Sequence, residues 1–354
     1  MAWSCRSMAA FPSGFEMYAK SLLTKARQID IEEAEMPDEI APDQIRLRLA
    51  TASICGTDMH YFRHFANAGF ALDYPVTLGH EACAWVEDAN GHDFEFGQLV
   101  AINPVINCGT CENCQTGDIN MCPTKRFPGS ATTKPHIDGF FRERFDFPAR
   151  CCHSVAKGVA PNHLTFAEPL ACAMHSVNRA GVQIGQRVLV TGCGPMGLLA
   201  VVSSVAKGAE VEVTDLKPEA IAAAEAVSAK GGYVIGQTAP PDSAYDVVIE
   251  ASGSPHAYNQ ALFAVRKQGV IGVLSLIQPS EVPINLHLNA LKEVSSVGSI
   301  LFTHEFAEAV DLIERGTVDF EAITAARFPI SETQAACDMM ADRRAVGKVL
   351  ITPA

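Results

Sequence analysis

No uninterrupted apolar run in these 354 residues approaches the roughly 20 that a membrane-spanning helix requires; GLLAVVSSVA at 197–206 is among the longest and stops well short. Basic residues are also scarce. Lys and Arg total 27 against 40 Asp and Glu, a formal net charge of −13, and no Lys/Arg stripe offsets it. That balance repels a polyanion and argues against nucleic acid as the main partner, so small molecules are expected. The first sixteen residues, MAWSCRSMAAFPSGFE, lack the apolar stretch of about seven or more that a secretory signal carries, so they read as an extension ahead of a start at Met17. There is no internal repeat, no low-complexity tract beyond one Ala-rich stretch, and no segment polar enough for long disorder.

What is present is an ordinary globular mixture, 48% hydrophobic and 19% charged, in a chain about twice the size that one hydrophobic core usually serves, so two domains are expected. From Tyr18 to Phe147, short strand-like segments such as QIRLRLATASI (44–54), EACAWVED (81–88) and GQLVAINP (97–104) alternate with Gly, Pro, Asn and Asp, which predicts an irregular β-rich domain. After Glu168 the rhythm changes. Buried-strand runs at 187–192, 209–215, 245–252 and 269–275 alternate with helical stretches at 195–208 and 218–231, the pattern of a parallel sheet with right-handed crossovers. The expected division is a catalytic domain over 17–167 with a metal-binding lobe at 104–123, a nucleotide domain over 168–302, and a segment 303–354 that returns to the first domain.

VLVTGCGPMG sets Gly192, Gly194 and Gly197 in G-x-G-x-x-G spacing, with Pro195 and Met196 between them, after an apolar strand and opening an apolar helix. Such a turn lets backbone N–H groups and the helix N-terminus meet a pyrophosphate. Eighteen residues past Gly197 stands Asp215, whose carboxylate can accept from a ribose diol and would repel a 2′-phosphate. Only Leu216 and Lys217 follow in that turn, with no Arg, so NAD is expected over NADP.

Four of the twelve cysteines, Cys108, Cys111, Cys114 and Cys122, follow C-x2-C-x2-C-x7-C, short enough for one loop to wrap a tetrahedral zinc. Such a site is closed to substrate and orders a lobe with few apolar residues of its own. An iron–sulfur cluster is the other metal reading, without ferredoxin spacing nearby. Disulfide frameworks of this cysteine density belong to much shorter secreted chains, so a reducing cytoplasm is expected. A second, scattered set lies in CGTDMH (55–60), GHE (79–81) and FAEPL (166–170). Cys55 and His80 suit zinc, Glu81 or Glu168 offers an oxygen, and one open position makes the site catalytic; Asp58 is available to orient His80.

With the glycine turn and both cysteine-bearing motifs, the chain from Met17 onward resembles the zinc-dependent medium-chain alcohol dehydrogenases. Glu168, where the alcohol-metabolising branch has a Cys, resembles the polyol or sorbitol dehydrogenase branch, and VAINP (100–104) and RFPGSATTKPHIDGFF (126–141) resemble members that oxidise the sugar acid L-idonate. The resemblance implies an α/β architecture of a GroES-like β-rich catalytic domain plus a Rossmann coenzyme domain, two zinc ions per chain, NAD, and a homotetramer or homodimer. It implies a catalytic zinc on Cys55, His80 and Glu81 or Glu168 with water completing the shell. Thr57 would pass the substrate proton outward, with His60 or a water on Glu168 as relay. One departure stands out: Ile300 and Leu301 occupy the place of a Phe-Arg pair whose Arg reaches the substrate in relatives, which leaves Arg126, Lys134 or His136 to meet a carboxylate. A zinc-ribbon binding module predicts a basic face that the acidic balance denies, and a purely structural protein predicts lost catalytic ligands that are present.

Overall fold

The computed structural model describes residues 17–277, 281–342 and 344–353; the reading of 1–16 as an extension ahead of Met17 lies outside the described residues. Two large sheets organise them. The first has seven strands, ordered Thr324–Pro329, Lys348–Thr352, Gln44–Ser53, Glu81–Asp88, Leu99–Ile102 and Cys152–Ser154, with Arg144–Pro148 pairing beside Gln44–Ser53. All its pairings are antiparallel except that between Thr324–Pro329 and Lys348–Thr352. Alternate residues of the central strand, Ile45, Leu47 and Leu49, enter one core with Val86, Phe140, Phe141 and Phe145. That period of two is why the segment reads as a half-polar strand.

The second sheet has six parallel strands in the order Gly232–Val234, Glu210–Asp215, Arg187–Thr191, Tyr245–Glu250, Val265–Val273 and Ser295–Gly298. In chain order this is 3-2-1-4-5-6, the doubly wound arrangement whose switch point lies between Arg187–Thr191 and Tyr245–Glu250. Both faces are covered. Val188 and Val190 pack with Val247 and Ile249 on one side, while Leu189, Val248 and Ile271 pack with Tyr258 and Leu262 on the other. Burial on both faces makes these strands continuous apolar runs in the sequence. The short strands Gly232–Val234 and Ser295–Gly298 escape a reading by hydrophobic runs, because half-exposed sheet edges are too polar to stand out.

The helix Ala167–Arg179, which begins beside Glu168, joins the two parts: it packs on Pro195–Ala206, on Glu305–Glu314 and against both sheets. Its buried Leu170, Ala173, Met174 and Val177 lie in one core with residues from both sheets, including Cys83, Ala101 and Val190. No helix among the described residues is long and apolar enough to cross a membrane.

Candidate active site

The scattered donors meet because of strand register. Ser53, the last residue of Gln44–Ser53, pairs with Glu81, the first of Glu81–Asp88, so Cys55 just beyond one strand end faces His80 just before the other. Donor atoms of Cys55, His80 and Glu81 lie within 4.8 Å of one another. Two devices fix this corner. Cys55 caps the helix Gly56–His64, and the third helical residue, Asp58, turns back so that its Oδ2 accepts from the Cys55 N–H at 2.9 Å while its Oδ1 accepts from the Gly79 N–H at 3.1 Å. Gly79 holds φ +94°, and a Cβ there would stand 2.5 Å from the Phe141 ring, so no other residue fits immediately before His80.

Asp58 thus positions the backbone of both donor turns, which is broader than the expected role of orienting the His80 ring. His80 Nδ1 does lie 3.4 Å from Asp58 Oδ1, but without hydrogen-bond geometry. Burial lowers the His80 pKa, and the charges of Asp58 and Cys55 outweigh it, holding the imidazole well above its ordinary range. The Phe127 ring packs on His80 with centroids 5.0 Å apart.

Glu81 is fully buried and has partners that sequence reasoning missed: Lys348 ion-pairs with it, and the Ser53 hydroxyl donates to it. Lys348 is itself only 2% exposed and opens the strand Lys348–Thr352, so the cation arrives from 267 residues away through the sheet pairing with Gln44–Ser53. No local pattern announces it. Glu168 lies outside the convergent trio; it sits in the first turn of Ala167–Arg179, Cys172 donates to it at 3.5 Å, and burial pushes its carboxyl up to about 7. Thr57 and His60 are half-buried and three residues apart on Gly56–His64, hence neighbours on one helix face. Burial lowers the His60 pKa, with Arg63 and His64 adding to it.

The four lobe cysteines also bring their sulfurs within 4.8 Å. The Cys108 and Cys114 sulfurs stand 3.9 Å apart, those of Cys108 and Cys122 3.6 Å apart. Backbone N–H groups point at them: Cys111 N donates to Cys108 Sγ and Cys108 N to Cys122 Sγ. Donation from Thr110 and Cys111 holds the Cys108 thiol down to about 5. Every described cysteine is a free thiol. Soft sulfur donors converging in this way fit a thiophilic cation with no protein-free position left over.

At the parallel sheet, Gly192 follows Arg187–Thr191, Gly194 caps the helix Pro195–Ala206, Pro195 and Met196 form its first turn, and Gly197 lies against the turn. A Cβ on Gly197 would fall 1.8 Å from the Gly192 carbonyl oxygen, so helix and strand approach as closely as they do only with glycine there. Asp215 ends Glu210–Asp215 and reaches across to accept from the Cys193 N–H at 2.7 Å and from the Lys217 N–H at 3.0 Å. A second unanticipated carboxylate, Glu250, is fully buried and accepts from the Ser252 and Gly253 N–H groups, bracing the neighbouring turn.

Of the cations weighed for a substrate carboxylate, Lys134 is paired with Asp73 at 2.5 Å, and His136 uses both ring nitrogens, on Thr133 O and the Asp73 N–H. Arg126 is exposed, has no side-chain partner among the described residues, and precedes Phe127, whose ring packs on His80.

Comparison with known proteins agrees with this anatomy. Residues 41–157 match the alcohol dehydrogenase GroES-like domain and residues 195–315 the zinc-binding dehydrogenase family. An L-idonate 5-dehydrogenase (NAD(P)(+)) of Escherichia coli K12 is 32% identical over 312 residues, covering 86% of this chain and 90% of its own. A sorbitol dehydrogenase of Bacillus subtilis strain 168 is 28% identical over 332 residues, covering 90% and 92%. The crystal structure of L-idonate 5-dehydrogenase from Escherichia coli K-12 has a TM-score of 0.90 with this fold at 27% identity, covering 95% of this chain and 98% of its own. With likeness of that extent in both halves, GroES-like and Rossmann, the chain belongs to the zinc-dependent medium-chain alcohol dehydrogenases, in the branch that holds the sorbitol and L-idonate 5-dehydrogenases.

Proposed function

We propose that the chain is a zinc- and NAD-dependent dehydrogenase that oxidises a secondary alcohol of a sugar acid, with L-idonate to 5-keto-D-gluconate as the first candidate and an uncharged polyol such as sorbitol or L-iditol as the second. The observation that carries this reading is the convergence of Cys55, His80 and Glu81 within 4.8 Å, with Glu168 near enough to feel the charges of His80, Glu81 and Lys348, in a chain whose other sheet bears the glycine turn and Asp215. Zinc, when bound, lowers the pKa of a substrate hydroxyl, and NAD accepts the hydride.

The chain's own residues supply the rest. Cys55 and His80 are the direct donors; with Nδ1 turned to Asp58, His80 offers Nε2. Glu81 or Glu168 supplies the oxygen, and Lys348 ion-pairs with Glu81. The Thr57 hydroxyl has no partner of its own among the described residues and is free to take the substrate proton toward His60, one turn on, whose lowered pKa favours the neutral, proton-accepting form near pH 7. Asp215 takes the ribose diol. Cys108, Cys111, Cys114 and Cys122 hold the second zinc. Arg126 is the cation left to meet a carboxylate, which supports a sugar acid over a polyol. The free thiols support a cytoplasmic setting.

A homodimer, or a tetramer built from it, is supported by the open edge strand Ser295–Gly298, near which Leu286 and Leu291 are 70% and 64% exposed. An assay of NAD reduction over L-idonate, D-gluconate, sorbitol, L-iditol and L-threonine tests the reading. Turnover of sorbitol without any sugar acid moves the assignment to the polyol, and no turnover at all sinks it.

A further inference from the structure

Three buried polar side chains from distant parts of the chain form a line that the proposed chemistry does not use. Asn120, 3% exposed, belongs to the turn Ile119–Met121 two residues before Cys122. Its Nδ2 donates to the Ile300 carbonyl at 2.9 Å and stands 3.4 Å from His175 Nε2. On the other side of the ring, His175 Nδ1 meets Glu305 Oε1 at 3.0 Å. Glu305, 1% exposed, also accepts from the Asn178 amide at 3.1 Å and, through Oε2, from the Thr303 N–H at 2.8 Å and hydroxyl at 3.0 Å. The partners fix the directions of the bonds: the Glu305 carboxylate takes the Nδ1 hydrogen, and Nε2 faces the second hydrogen of the Asn120 amide, whose first goes to the Ile300 carbonyl.

The line holds both ends of one bend. Asn120 grips Ile300 at the start, Glu305 grips Thr303 at the finish, and His175 connects the grips. Between them Leu301 has φ +53°, the left-handed region that disfavours a branched L-residue and persists only where the surroundings enforce it. The bend follows Ser295–Gly298 at the carboxyl edge of the parallel sheet, the edge that carries the glycine turn and at which open α/β sheets take their ligands. Ile300, half exposed, is the side chain it presents.

We propose that Asn120 is a positioning residue for the nucleotide and substrate cleft: from the cysteine lobe it holds the 300–303 bend in its strained form, with His175 and Glu305 completing the clamp. The fold of the lobe is thereby felt at the cleft. This rests on the dehydrogenase reading for its kinetic arm alone.

Two variants separate the bonds. Asn120→Ala removes both. Asn120→Asp keeps a polar group of the same size beside His175, but a carboxylate has no hydrogen for the Ile300 carbonyl. If Asn120 acts on the bend, both variants raise amide hydrogen exchange in the 299–303 peptide by about tenfold, and both raise KM by about tenfold with kcat within about twofold, on protein with its full metal complement. Wild-type exchange and KM in Asn120→Asp would overturn the proposal and reduce Asn120 to an anchor of its own lobe. Should the Asn120 variants fail to fold, Thr303→Val, which removes the hydroxyl's bonds to Glu305 and to the exposed His304 while keeping the N–H bond to Glu305, decides it against His304→Ala as the control for the second bond: faster exchange in the same peptide in Thr303→Val alone supports the clamp, unchanged exchange ends it. If the wild-type chain turns over none of the substrates above, the dehydrogenase reading fails while the exchange measurement still decides the clamp.

Discussion

The cysteine lobe and the scattered corner both gather metal-type donors within 4.8 Å, by opposite means. In the lobe, four sulfurs come from fifteen consecutive residues and are steadied by the loop's own N–H groups, with Cys108 exposed to solvent. In the corner, Cys55, His80 and Glu81 depend on strand register, and their charges are balanced by buried groups, Asp58 and Lys348, that come from a helix and from the end of the chain. The density of a motif in sequence is therefore no guide to reactivity: a self-sufficient loop satisfies a cation completely, whereas a corner assembled from distant elements keeps carboxylates and hydroxyls in reserve.

The largest consequence of that contrast is at Cys55. Cys55→Ser is expected to remove one of about two zinc ions per chain and to lower kcat by about a thousandfold or more, since the remaining donors no longer hold the cation; metal analysis alongside NAD reduction checks it, and retained metal would refute the corner as a binding site. Next comes Lys348. Lys348→Met leaves the Glu81 carboxylate buried without its cation and is expected to destabilise the fold by about 3–5 kcal/mol in denaturant unfolding, most of it recovered when Glu81→Gln is added. An equal loss in the double variant would mean that Lys348 matters for packing alone.

Cys114→Ser tests the other region. Its expected outcome is a lower Tm, by about 5–10 °C, with loss of the second zinc and an unaltered pH dependence of kcat. A shifted pH profile with an unchanged Tm would reverse the division of labour between the two clusters. The smallest effect belongs to the clamp between the lobe and the 300–303 bend. Burial raises the Glu305 pKa, but His175, Thr303 and Asn178 more than offset it and leave the carboxyl well below its ordinary value of 4.5. A depressed native pKa contributes stability above the unfolded value and loses it as pH falls toward the native one. Glu305→Gln should therefore cost about 1–2 kcal/mol near neutral pH, with the gap to wild type closing below about pH 4. A gap independent of pH would show that Glu305 is not ionised in the fold.

Much of the architecture is readable in the residues. Two-sided burial writes Arg187–Thr191 and Tyr245–Glu250 as apolar runs, one-sided burial writes Gln44–Ser53 as an alternation, and the steric contact between Gly197 and the Gly192 carbonyl requires the glycine that the motif supplies. The edge strand Ser295–Gly298 leaves no such imprint, because only part of it is covered. Asp58 is visible as a nearby carboxylate, yet its accepted bonds from Cys55 and Gly79 are backbone bonds and carry no residue signature. Likewise Lys134 and His136 look equal to Arg126 as substrate cations until Asp73 and Thr133 are seen to occupy them.

The sequence by itself determined the local chemistry: a four-sulfur loop, a glycine turn with Asp215 one strand away, and the two sheet types, since each depends on spacing within a few residues or on the periodicity of burial. Only the tertiary structure decided which carboxylate has a cation and which does not. Lys348 reaches Glu81 across 267 residues, Glu305 reaches His175 across 130, and Asn120 reaches Ile300 across 180. Such pairings are set by strand register and helix packing, and burial then makes them strong, because in a low-dielectric interior a charge or an amide must find its partner wherever the fold brings one.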